Sequence, residues 1–166
     1  MRVVLQRVSA GRVSVDGRVI AQIERGLVLL VGIAPDDTEE KARQLVEKIA
    51  NLRIFEDQQG KMNLSLLEVG GAALVVSQFT LYADARKGRR PNLDGAAPAD
   101  EARVHFEAFV EALRSRGPVI RVGRFQETME VESVNDGPVT ILLDSPADRT
   151  AGDGREAEYG TTSPQG

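Results

Sequence analysis

The sequence predicts a single α+β domain, a barrel-like, largely antiparallel sheet carrying two main helices. Three observations predict it. Alternating or continuous apolar runs of strand length fill the first third of the 166-residue chain. Two segments with helical spacing, near residues 37–50 and 98–116, stand apart from them. No internal repeat or long linker divides residues 1–145.

The elements follow in order. Met1 to Ser9 alternates as a half-buried strand does, and its two arginines set it apart from a signal peptide. Asp16-Gly17, between two alternating runs, predicts a hairpin over Val13 to Ile23. The unbroken apolar run from Gly26 to Gly32 predicts a central strand buried on both faces. Asp37 is placed to cap the first helix, whose apolar stripe is Ala42, Leu45, Val46 and Ile49. Leu52 to Glu56 reads as strand, and Gly70-Gly71 turns the chain into a further strand over Ala72 to Tyr82. Pro98 opens the second helix, with Ala102, Phe106, Phe109, Val110 and Leu113 on one face, and Gly117-Pro118 ends it. Strands follow up to Leu143, with a turn expected at Asn135 to Pro138. From residue 146 to 166 the chain has no Ile, Leu, Val, Met or Phe, which predicts a disordered C-terminal tail.

Composition narrows the chemistry. There is no cysteine, which removes disulfides, thiolate nucleophiles and cysteine-ligated metal, and a single histidine makes a transition-metal site improbable. No cofactor is expected. No run approaches the roughly 20 apolar residues that span a bilayer, so a cytoplasmic protein is the expectation. The net charge of −4 argues against a protein that coats nucleic acid over its whole surface.

Four features remain. His105 falls on the flank of the second helix's apolar stripe, where a half-solvated boundary histidine is the ordinary reading. In "VVSQFTLYAD", a strand would put Gln78, Thr80 and Tyr82 on one face and Ser77, Phe79 and Leu81 on the other. Thr80 or Ser77 could act as a nucleophile only beside a base, and the sequence supplies no evident one. In "ARKGRRP", Arg86, Lys87, Arg89 and Arg90 gather cations in a loop just past Tyr82, either as a solvated loop or as a phosphate contact. In "NDGPVT", proline cannot donate to a central ladder, so Gly137-Pro138 belongs at an edge, a bulge or a protruding tip that presents bare carbonyl oxygens.

"SQFTLYAD" and "NDGPVT" together resemble the two signature motifs of the D-aminoacyl-tRNA deacylases. "MRVVLQRVSAGRVSVDG", "NLRIFED", "KMNLSL" and "GRF" agree in order and spacing over about residues 1 to 145. One departure is Asn92-Leu93, where the family more usually has Ser-Phe. The resemblance implies a homodimer that hydrolyses the ester joining a D-amino acid to the 3′ end of tRNA; a barrier that only rejects L side chains would let glycyl-tRNA through as well. It implies a cis Gly137-Pro138 bond whose tip enters the partner subunit's site and excludes L side chains. It implies backbone polarisation of the carbonyl at Phe79 and Thr80, with Gln78 and Ser77 shaping the pocket. Activation of water is assigned to the tRNA's own 2′-hydroxyl. Phe125 and Met129 would line the terminal adenosine site, with Asn135 also against substrate. Arg86, Lys87, Arg89 and Arg90 would hold acceptor-stem phosphates, and Arg7 would brace the tip. Two rival readings are a non-catalytic RNA 3′-end-binding module, which has no need of the Gly-Pro, and a small-ester esterase, which has no use for the cations.

Overall fold

Nearly every apolar residue of the central strand is buried, and alternate residues serve two different cores. The structure, a computed structural model, describes residues 1–146. The expected tail beyond Pro146 lies outside the described residues. Strands β1 (Arg2–Val15), β2 (Arg18–Ile23) and β3 (Gly26–Gly32) open the chain. Helix α1 (Glu39–Asn51), the short pair β4 (Phe55–Glu56) and β5 (Met62–Leu64), and strand β6 (Ala72–Ser77) follow. Helix α2 (Ala99–Ser115), β7 (Val119–Val122) and β8 (Glu130–Asp144) complete it.

The main sheet runs β2-β1-β3-β6-β7, with β8 laid along the other side of β1. β1 pairs antiparallel with β2, β3 and β8, whereas β3–β6 and β6–β7 are parallel. The parallel arm is the part the sequence reading did not separate. It exists because α1 and α2 are crossover connections, which return the chain in the same direction. The long β1 serves β3 with its first half and β2 with its second, so the sheet curls toward a barrel.

Leu27, Leu29 and Val31 of β3 point to the helices, with Leu45, Val46 and Ile49 of α1 and Phe106, Phe109 and Leu113 of α2. Val28 points the other way, into a smaller cluster with Val8, Val13, Ile23, Leu74 and Val76. Burial on both faces is the reason the run is continuously apolar. Gly26 must lack a side chain, because a Cβ there would stand 1.8 Å from the Ala72 carbonyl oxygen at the start of β6.

Three expectations are corrected. Thr38, not Asp37, caps α1: its hydroxyl accepts from the Lys41 N–H at 3.2 Å. Asp37 is buried instead, accepting from the Ala34 N–H at 2.7 Å and from the Met1 amino group. The strand expected over Ala72 to Tyr82 stops at Ser77, and Phe79–Tyr82 is a 3-10 turn. Its cause is Gly32, the last residue of β3. Gln78 N–H still donates to Val31 at 2.8 Å, and the chain then folds across the bare glycine. A Cβ on Gly32 would lie 3.1–3.2 Å from the Gln78 oxygen, Leu81 and Tyr82. The alternating faces assigned to Gln78, Thr80 and Tyr82 therefore do not exist. Finally, Asn135 to Pro138 is not a hairpin turn but a bulge within β8, which pairs with β1 on both sides of it.

Candidate active site

The end of β6, the 3-10 turn, the 93–102 segment and the 125–131 segment enclose a cleft of about 650 Å³. It brings together Ser77, Gln78 and Phe79 from one side and Phe125 and Met129 from the other. Leu93, Ala96, Ala97 and Ala102 give it an apolar wall of mostly small residues. Sequence reasoning did not name that wall or Glu127, a cleft carboxylate paired with Arg124 at 3.4 Å. Small residues in a loop carry no signal of their own, so only their convergence reveals them.

Backbone donors define the chemistry available at the 3-10 turn. Gln78, Leu81 and Ala83 N–H groups all have protein acceptors. Phe79 and Thr80 N–H groups have none among the described residues, as expected for the first residues of such a turn. Phe79 is 55% exposed and lines the cleft. Thr80 is exposed and does not line the cleft; its hydroxyl accepts from the Gln78 side-chain amide. Tyr82 closes the turn beneath, where burial, reinforced by the Asp37 charge, raises its phenol well above the usual range. It is neutral at ordinary pH and no base. Arg2 holds this turn from outside: its guanidinium lies 5.3 Å from the Tyr82 ring centroid and donates to the Leu81 carbonyl at 3.3 Å.

The 123–129 segment winds about the Met129 sulfur, which accepts from the Arg124 N–H at 3.3 Å. Gly123 makes room, since a Cβ there would lie 2.8 Å from that sulfur. Phe125 packs on Phe106 of α2 with centroids 5.7 Å apart. His105 is half-buried on α2 and is not among the residues lining the cleft, so it offers no base there.

The cation loop is not uniform. Arg86 is committed to Asp84 through two contacts of 2.8 and 2.6 Å, which hold that carboxyl below the usual range. Asp84 and Asn92 also close the base of the loop by paired backbone hydrogen bonds of 2.8 and 2.9 Å. Lys87, Arg89 and Arg90 are exposed and in no ion pair among the described residues.

Gly137-Pro138 is a cis peptide at an exposed tip. In the β1–β8 ladder Val8 faces Asn135 and Gln6 faces Thr140, so only Arg7 stands opposite residues 136–139. Arg7 is 5% exposed. Its side chain donates to the Asp136 carbonyl at 3.1 Å and the Ile54 carbonyl at 2.7 Å, and lies 3.3 Å from the Asp136 carboxylate. A bulge leaves backbone carbonyls without ladder partners, and the guanidinium fork supplies the donors. Asn135 closes the neck of the tip: its amide donates to the Thr140 hydroxyl at 2.8 Å and accepts from the Val139 N–H at 2.9 Å. Asn135, expected against substrate, thus uses both its amide oxygen and its amide nitrogen within the tip. None of residues 135–140 lines the cleft of its own chain.

The α+β fold and the cleft define an enzyme class once they are set beside known proteins: a deacylase, that is, a hydrolase. A family model described as D-Tyr-tRNA(Tyr) deacylase matches residues 4–144, and the chain belongs to that family. A curated relative from Koribacter versatilis (strain Ellin345), named D-aminoacyl-tRNA deacylase, is 57% identical over 145 residues, 87% of this chain and 97% of the relative. Another of that name, from Thermus aquaticus, is 55% identical over 145 residues, 87% of this chain and 95% of the relative. A solved structure described as c-Myc DNA Unwinding Element Binding Protein superimposes with a TM-score of 0.84 at 42% identity, covering 89% of this chain and 100% of the other. A probable eukaryotic D-amino acid tRNA deacylase, with a TM-score of 0.75 at 19% identity over 86% of this chain and 97% of the other, shares the fold.

Proposed function

We propose that this protein hydrolyses the ester of D-aminoacyl-tRNAs, and of glycyl-tRNA, and excludes L-aminoacyl-tRNAs with the Gly137-Pro138 tip of a partner subunit. The observation that carries this reading is a cleft lined by Phe79, Phe125 and Met129, with the Phe79 N–H and that of its neighbour Thr80 free of acceptors among the described residues, in a chain whose tip lies outside its own cleft. A tip that does not line its own cleft would serve a site in trans, in a homodimer.

Water adds to the ester carbonyl carbon, and the resulting oxyanion accepts from the Phe79 and Thr80 N–H groups. The C–O bond to the ribose then breaks. The 3′-oxygen keeps the electron pair and takes a proton, leaving a free amino acid and tRNA. The substrate's 2′-hydroxyl takes up the proton of the attacking water as it passes its own proton to the departing 3′-oxygen, so no side-chain nucleophile takes part. Ser77 and Gln78 shape the cleft, and the terminal adenosine rests against Phe125 and Met129.

Thr80→Ala should keep at least about a tenth of the activity, because in this scheme Thr80 contributes its N–H and not its hydroxyl. Single-turnover release of amino acid checks it. A loss beyond about a thousandfold with an unchanged melting temperature would instead make Thr80 a nucleophile.

Lys87, Arg89 and Arg90 supply contacts to the acceptor-stem phosphates, with Arg86 serving to shape the loop. Arg89→Ala and Arg90→Ala should each raise KM, leave kcat within about twofold, and reduce the salt slope of log(kcat/KM) by about one. Unchanged KM values at both positions would remove the loop from the binding surface.

The second reading is a non-catalytic module that binds an RNA 3′ end; the description of one solved relative as a DNA-element-binding protein gives nucleic-acid binding without hydrolysis some support. Release of free amino acid from D-tyrosyl-tRNA separates the two: the module would bind and release none.

A further inference from the structure

We propose that Arg103 is a positioning residue for the substrate's terminal nucleoside, acting through Phe125 and Gln126; this rests on the cleft being the deacylase site. Arg103 lies on the exposed flank of α2, three residues before Phe106. Its guanidinium sits 4.7 Å from the centroid of the Phe125 ring. The same group donates to the Gln126 side-chain oxygen at 3.0 Å. No carboxylate lies within ion-pair distance of it among the described residues.

These contacts meet at a vulnerable corner. Gln126 has φ +62, a left-handed conformation uncommon for a residue with a side chain. Phe125 and Gln126 both line the cleft; elsewhere the segment is tied by the Gly123 N–H to the Val75 carbonyl, by the Arg124–Glu127 pair, by the Met129 sulfur and by the Phe106 ring, and of these only the Phe106 contact reaches Phe125 itself. A cation over one aromatic face and a fork hydrogen bond to the next residue hold the ring plane and the corner together. A base that stacks on Phe125 meets a ring already fixed, so less ordering is lost on binding. Arg103 does not itself line the cleft, and its side-chain contacts are with Phe125 and Gln126 and not with the 3-10 turn, so its effect belongs to binding and not to the chemical step.

The test compares Arg103→Met, which keeps an unbranched stem without charge or donors, with Arg103→Lys, which keeps the charge without the fork. With D-tyrosyl-tRNA, Arg103→Met should raise KM about threefold to tenfold, kcat should stay within about twofold, and Arg103→Lys should recover part of the loss. Binding of the trinucleotide CCA, followed by calorimetry, should weaken by the same factor. Unchanged KM and CCA affinity in Arg103→Met, with wild-type turnover intact, would overturn the role of Arg103 and leave the deacylase reading standing. Equal falls in kcat and melting temperature with KM unmoved would also overturn it, marking a structural residue. A wild type that releases no amino acid, yet binds CCA more tightly than Arg103→Met does, would overturn the deacylase reading and leave Arg103 in its role.

Discussion

D-Tyrosyl-tRNA should be hydrolysed at least about a hundredfold faster than L-tyrosyl-tRNA, since forcing a substituent against fixed carbonyl oxygens costs about 3 kcal/mol. Main-chain atoms cannot rotate away as a side chain can, and Arg7 and Asn135 hold the tip from beneath and across its neck. A barrier of this kind rejects without recognising, so many D side chains should pass, and glycine, with no side chain to reject, should pass too. Gly137→Ala tests the barrier directly. At φ +131 an added Cβ would lie 2.8 Å from Val139 Cγ2 and 3.0 Å from Arg7 Nη2, so the tip must shift. The D-to-L ratio, measured with matched tyrosyl-tRNAs, should fall at least about tenfold. The barrier fails as an explanation if both enantiomers turn over equally in the wild type, if Gly137→Ala keeps full discrimination, or if glycyl-tRNA is inert at enzyme levels that clear the D substrate.

Phe79→Pro should lower kcat about 10²–10³-fold relative to Phe79→Ala, the usual loss for one oxyanion donor. The alanine variant removes the exposed ring and keeps the N–H; the proline variant removes both. Proline suits the first residue of a helical turn, where its missing N–H has no partner within the protein, so the turn should persist. Melting temperatures verify that, and single-turnover rates give the comparison. Equal rates for the two variants would take the Phe79 N–H out of the chemical step.

Much of this was legible before any coordinates. The apolar run of β3 announced a strand buried on two faces, and α1 and α2 announced themselves by their apolar stripes. The motif residues Ser77, Gln78, Phe79, Phe125 and Met129 were all named, and they do meet in one cleft. Errors fell where a neighbour in space overrules the local pattern. "FTLY" has a strand's composition, and it is the absence of a side chain on Gly32 that lets it coil into a 3-10 turn. Asp37 has a capping side chain and spends it elsewhere, because Ala34 and the Met1 amino group stand closer. Arg86 reads as one of four equivalent cations until Asp84 is seen to occupy it.

The amino-acid order alone determined the α+β class, the two amphipathic helices, the doubly buried strand and the exclusion of Gly137-Pro138 from a regular central ladder. Those depend on periodicity and on backbone limits that each residue carries with it wherever it is placed. Only the tertiary structure decided that the tip rests on a buried Arg7, that it stands outside its own cleft, and that Arg103 leans on Phe125. Such contacts join residues far apart in the chain, and sheet register and helix crossing, not local preference, choose which of them touch.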